Sequence, residues 1–158
     1  MKQDRFLLGI LVFIGLLVIA ALVLFFTRHE AQTYAPENTP EGVMRNYVLA
    51  LHDRDYQRAY SYMAEKENKP TFDYFRQAFL SHQLDVSGAA IQVGKVEVTD
   101  SGEATIDISI IYASNGPFMD TSRSTATASL VRQEGAWRIS YMPYPYWGWD
   151  WYQPTPVK

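Results

Sequence analysis

The side chains capable of chemistry are few, and their spacing limits what they can do. Histidines stand at 29, 52 and 82, none in the His-x-x-x-His arrangement that would turn two imidazoles toward one metal from a helix face. His52 falls where a helix should end, a place that favours a partly positive imidazole. His82 and Asp85 suit a turn. Asp53-x-Asp55 lacks the glycine and the distal glutamate of a calcium loop, which leaves helix capping as its role. The chain has no cysteine, so a thiolate metal site, a cysteine nucleophile and a disulfide scaffold are all excluded. Neither a glycine-rich phosphate loop nor a G-x-S-x-G segment occurs in it. The expectation is a protein without catalytic motif, metal or cofactor.

Two groups of residues remain. Asp107 alternates with Ile106 and Ile108, and Tyr47, Tyr60 and Tyr74 fall on segments that read as helices. An acid and a phenol sharing an apolar cavity could move protons. The competing arrangement buries the isoleucines, turns Asp107 to solvent and leaves the tyrosines as core residues with a polar tip. The second group is a tail in which seven of the twelve residues from Tyr141 to Tyr152 are aromatic: Tyr141, Tyr144, Tyr146, Trp147, Trp149, Trp151 and Tyr152. Its chemistry is recognition, because tryptophan and tyrosine are the usual anchors of interfaces.

These groups must be positioned by a chain of 158 residues that opens with an apolar run. Phe6 to Phe26 is 21 residues without a charge, a polar side chain or a proline, and 17 of them are Leu, Ile, Val or Phe. As a helix this run would span roughly 32 Å, about the thickness of a bilayer core. It exceeds the apolar region of about 7–15 residues typical of a cleaved signal, and no good A-x-A-like site follows it. Lys2, Arg5 and the α-amino group precede it and only Arg28 follows closely, so the cationic side predicts a cytoplasmic N-terminus and an extracytoplasmic remainder. The lipid bilayer is thus the first expected partner, through residues 6–26. Residues 27–158 hold 12 basic and 16 acidic side chains, a net of −4, and the scattered cations exclude a nucleic-acid footprint.

After a head (1–5), the span (6–26) and a linker (27–38), a domain is expected over 39–142 and a tail over 143–158. Thr39-Pro40-Glu41 starts a helix with Val43, Tyr47 and Leu51 on one face. Asp55 caps a second, with Tyr56, Ala59, Tyr60 and Met63 at helical spacing. Thr71 caps a third, striped by Phe72, Phe75 and Phe79. From Ala89 the period becomes 2. A strand with a bulge at Gly94-Lys95, a turn at Asp100-Ser101-Gly102, a strand over 104–113 and a break at Asn115-Gly116-Pro117 follow in order. A strand over 121–133, a tight Glu134-Gly135 turn and a last strand over 137–141 complete an antiparallel meander. Helices followed by such a meander predict an α+β domain. Four prolines in the tail, Pro143, Pro145, Pro154 and Pro156, predict an extended or polyproline-like backbone there.

The Thr39-Pro40-Glu41 start, His52-x-x-Asp55-Tyr56-x-x-Ala59-Tyr60, the phenylalanine stripe and Gly135-x-Trp137-x-Ile139 resemble the nuclear transport factor two-like superfamily, over about residues 38–142. Within it they resemble the small, uncharacterised bacterial exported domains, many of which hang from a lipid-modified cysteine where this chain has a helix. The resemblance implies a cone-shaped fold, three helices on a curved antiparallel sheet of about four strands, with a cavity that some members use for ligands or catalysis. It makes Tyr47, Tyr60, Tyr74 and Asp107 cavity candidates for a small-ligand binder or an isomerase-like enzyme.

The main expectation is different: a single-pass membrane protein whose domain acts by binding, as a scaffold or accessory subunit of a membrane or envelope assembly. Tyr144, Tyr146, Trp147, Trp149, Trp151 and Tyr152 are then the partner-binding candidates, for a protein or for envelope material. Three destinations are open to the tail: its own domain, a partner protein, or the lipid headgroup level.

Overall fold

Hydroxyl and carboxylate caps open three of the four helices in the computed structural model, which describes residues 3–28, 33–112 and 122–154. Helix α1 (Gln3–Arg28) belongs to a unit of its own, Met1–Thr33, and the remainder forms a second unit, Tyr34–Lys158. Among the described residues no helix is long and apolar enough to cross a membrane. The side chains described in α1 cover 7–23, 17 residues, or about 26 Å of helix against the ~30 Å of a bilayer core. The expected span over 6–26 extends beyond them, and residues 1–2 of the expected head lie outside the described residues.

In the second unit Thr39 opens α2 (Pro40–His52) by accepting from the Gly42 amide at 3.2 Å. Asp55 opens α3 (Tyr56–Ser61) by accepting from the Arg58 amide at 3.1 Å, so the second aspartate of Asp53-x-Asp55 is a cap. Thr71 opens α4 (Phe72–Leu80) by accepting from the Tyr74 amide at 3.3 Å. Each cap satisfies an amide that the first helical turn leaves unpaired.

Strands β1 (Ala89–Val98), β2 (Glu103–Tyr112), β3 (Ser122–Gln133) and β4 (Ala136–Tyr141) make one antiparallel sheet in the order β1-β2-β3-β4. The register of β1 on β2 shifts between Val93 and Val96, the bulge expected at Gly94-Lys95. Glu134 and Gly135 both take positive φ, 51° and 82°, the backbone a two-residue hairpin turn needs to match strand twist. The expected break at Asn115-Gly116-Pro117 lies outside the described residues. Ile106, Ile108 and Ile110 are buried beneath the helices with Val43, Met44, Tyr47, Phe75 and Phe79. The period of 2 therefore turns Asp107 outward.

Two stretches differ from the sequence expectation. Met63, expected on the second helix, pairs instead in parallel with Ile139 of β4. Ile139 donates to the Tyr62 carbonyl and the Ala64 amide to the Ile139 carbonyl, both at 2.8 Å. The segment covers a sheet edge that would otherwise present unpaired amides. Nor is the linker free up to residue 38. The Ala35 amide donates to Asn46 Oδ1 at 2.7 Å, and Asn46 Nδ2 donates to the Ala35 carbonyl at 2.9 Å. The Arg58 guanidinium lies 3.4 Å from the centre of the Tyr34 ring, and the Tyr62 hydroxyl donates to Glu37 at 2.7 Å. The folded unit starts at Tyr34 rather than at residue 39.

Candidate functional site

Over 143–154 the tail is neither extended nor polyproline-like, and residues 155–158 lie outside the described residues. It runs through successive turns, in which the Tyr146 amide donates to the Pro143 carbonyl at 3.0 Å and the Trp151 amide to the Gly148 carbonyl at 3.2 Å. Gly148 leaves room for the indole against the second turn, since a Cβ there would sit 2.4 Å from Trp151 Nε1. With no side chain at 148, the Trp151 indole approaches the backbone there and also packs on Phe75, ring centres 5.2 Å apart. Long-range bonds hold the tail on the domain: Tyr47 Oη donates to the Tyr146 carbonyl at 2.7 Å, and Tyr152 Oη to the Ala64 carbonyl at 2.6 Å. Prolines remove donors but not acceptors, and turns together with aromatic burial settle the path.

The six tail aromatics therefore divide. Tyr146, Trp147 and Trp151 belong to the hydrophobic core, the two tryptophans only 5% and 3% exposed, so these three are not presented to a partner. Tyr152 is half-buried, its ring stacked on Trp147. Burial pushes the Tyr146 and Tyr152 phenols far above their ordinary pKa. Among the described residues the Tyr146 hydroxyl has no hydrogen-bond partner. Tyr144 and Trp149, 61% and 83% exposed, are the tail aromatics that face outward.

These two rim a cleft of about 240 Å³ between α4, the end of β4 and the tail. Tyr74 and Tyr141, 45% and 48% exposed, line it as well, over a floor of Trp147 and Trp151. Asp150 supplies the only formal charge among the described lining residues. Tyr74 Oη donates to Asp150 Oδ2, and this bond, more than burial, raises the Tyr74 pKa. The phenol thus stays protonated and points one carboxylate oxygen, while a carboxylate has further acceptor capacity to offer. Chemically the arrangement is an aromatic socket with one fixed negative charge.

The cavity candidates do not converge. Tyr47 is fully buried, its hydroxyl used on the Tyr146 carbonyl, and desolvation raises its pKa strongly. Tyr60 Oη donates to the Pro70 carbonyl at 2.9 Å. Tyr74 lies on the aromatic cleft. Asp107 is on the opposite face of the sheet, exposed, beside Gly94, Ser109, Thr125 and Thr127 in an open groove. The sheet stands between Asp107 and the three phenols. His52, expected to gain from charge at a helix end, has its pKa lowered instead, chiefly by desolvation beside Tyr146.

Asp150 was absent from the residues singled out in the sequence. Its signal is Gly148-Trp149-Asp150-Trp151, a lone acid between aromatics just after a glycine that admits a turn. Its pairing with Tyr74, 76 residues earlier, has no local signature.

The α+β architecture, an antiparallel four-stranded sheet with helices, fits a nuclear transport factor two-like fold. No family model matches the chain, and no curated protein matches it. Among solved structures it is similar to a SEC-C motif-containing protein of Rhodopseudomonas palustris, at 14% identity and a TM-score of 0.50, over 66% of this chain and 77% of that one. An NTF-2 like protein of unknown function from Shewanella oneidensis is 11% identical, with a TM-score of 0.46 over 62% of this chain and 88% of that one. A ketosteroid isomerase-like protein from Erwinia carotovora is 13% identical, with a TM-score of 0.45 over 66% and 90%. At such identities a likeness concerns the fold alone.

Proposed function

We propose that the chain is a membrane-anchored, extracytoplasmic binding protein of the nuclear transport factor two-like type, an accessory or scaffold subunit of a membrane or envelope assembly. Its anchor is the apolar run over 6–26 and its binding face is the aromatic cleft. One observation carries the reading. Outside α1, the exposed large hydrophobics among the described residues are Tyr74, Leu80, Val98, Tyr141, Tyr144 and Trp149. Four of these six line the same cleft, and exposed apolar surface gathered in this way marks an interaction site. The anchor draws support from the sequence of 6–26 and from the side chains of 7–23, all apolar and all exposed around the helix, a pattern that suits lipid rather than water. Action by binding rather than catalysis is favoured by the separation of Asp107 from the tyrosines.

The test is site-specific photocrosslinking in native membranes, with the photoreactive residue in turn at Trp149, Tyr144 and the remote Val98. Adducts at 149 and 144 and none at 98 are the expected result. The same pattern at all three positions, or none at 149 and 144, refutes the cleft as the binding face. Deleting the tail is unsuitable, because Tyr146, Trp147 and Trp151 are part of the core.

A further inference from the structure

The cleft has a charge and a size, and these narrow what it can hold. No lysine, arginine or histidine is among its described lining residues, and Asp150 is there as a carboxylate fixed by Tyr74. An anion would meet a carboxylate and no cationic side chain there. Aromatic faces carry the negative end of the ring quadrupole and attract cations within about 6 Å of the ring centre. Here the exposed walls are phenol and indole, Tyr74, Tyr141, Tyr144 and Trp149, over a floor in which Trp147 and Trp151 pack edge to face, 5.2 Å apart at 63°. Trp147 and Trp151 are held by the core, so the floor exists before any ligand arrives, which lowers the ordering cost of binding. The volume, about 240 Å³, falls below the ~300–1,000 Å³ of sites for drug-sized molecules. It suits a head group rather than an extended chain.

We propose that the cleft takes an organic ammonium cation, of the size of a methylated amine, with Trp149 and Tyr144 closing over it and Asp150 balancing its charge. The proposal rests on the cleft being the binding face and names the chemistry it selects. The same ammonium group can come from a free amine or from a zwitterionic lipid head group.

The probes are choline and its uncharged carbon isostere, 3,3-dimethylbutan-1-ol, titrated against the full chain in maltoside micelles with tryptophan fluorescence as readout. Choline is expected to bind at least about tenfold more tightly than the alcohol, which has the same shape and no charge. Asp150→Asn, which keeps the shape and an acceptor for Tyr74, should weaken choline about tenfold. Trp149→Ala, at a largely exposed position, should weaken it about threefold, and Val98→Ala should leave it unchanged. A second arm places the chain in nanodiscs of phosphatidylcholine or phosphatidylglycerol. Loss of choline binding in the first lipid alone identifies the lipid head group as the occupant, and equal binding in both identifies a free amine. Equal affinity for choline and the alcohol, no choline binding, or indifference to Asp150→Asn overturns the proposal. If crosslinks at Trp149 persist in that case, only the ligand class fails; if they vanish too, the binding face fails with it.

Discussion

Replacing Trp151 and Trp149 by alanine, one at a time, separates a tail that is part of the fold from a tail that merely rests on it. Trp151 packs on Phe75, Phe79 and Trp147, whereas Trp149 projects outward two residues earlier in the same turn. A tryptophan side chain buries roughly 150–250 Å², worth about 4–6 kcal/mol at ~25 cal/mol per Å². Compactness of the unfolded chain trims that by roughly 10–40%. What remains, about 3–5 kcal/mol, agrees with the usual cost of truncating a buried aromatic side chain to alanine. For a domain of this size the loss lowers Tm by about 10–20 °C. Trp149→Ala should change stability by less than about 0.5 kcal/mol. The assay is thermal unfolding of the full chain in maltoside, followed by near-ultraviolet circular dichroism, with Trp151→Phe as an intermediate case should Trp151→Ala fail to fold. Equal shifts for Trp151→Ala and Trp149→Ala, or a Trp151→Phe variant less stable than both, would refute the placement of Trp151 in the core.

Three further expectations concern the elements that hold the cleft in place. Asn46→Ala removes both partners of the Ala35 backbone and should cost about 2–3 kcal/mol, with new protease cleavage near 34–38; unchanged resistance there would mean that Asn46 does not hold the segment. Gly148→Ala forces a Cβ against the Trp151 indole and should cost about 1–3 kcal/mol, with an altered tryptophan signal in near-ultraviolet dichroism; a spectrum identical to the parent's contradicts the close approach. Desolvation beside Tyr146 holds His52 below its ordinary pKa although the residue as a whole is exposed, so folding favours its neutral form. Its contribution is therefore complete above about pH 6.5 and is lost as pH falls through that value toward the lower folded one. His52→Gln should flatten the decline of Tm between about pH 7 and 5, and an unaltered slope speaks against it.

The limits of what the sequence revealed follow the range of the interactions involved. Caps at Thr39, Asp55 and Thr71, the isoleucine alternation of β2, the bulge at Gly94-Lys95 and the Glu134-Gly135 turn were all legible, because each rests on residues within a few positions of one another. Asp107 was legible as well in the sense that mattered: once Ile106 and Ile108 are buried, a period of 2 leaves it no other side. Met63 was misread because helical spacing continues past Ser61, while its pairing partner, Ile139, lies 76 residues away. The tail was misread for a related reason. Its prolines argue about donors, yet its path is set by acceptors and rings: carbonyls that take the Tyr47 and Tyr152 hydroxyls, and an indole that needs Gly148 bare. The same burial that takes Tyr146, Trp147 and Trp151 out of reach is what makes the remaining pair informative. A chain that hides three of six tail aromatics and a phenylalanine stripe in one core leaves Trp149 and Tyr144 outside it, next to a carboxylate that Tyr74 holds in place. Water offers little return for exposing those two rings, so their position is best explained by something that covers them.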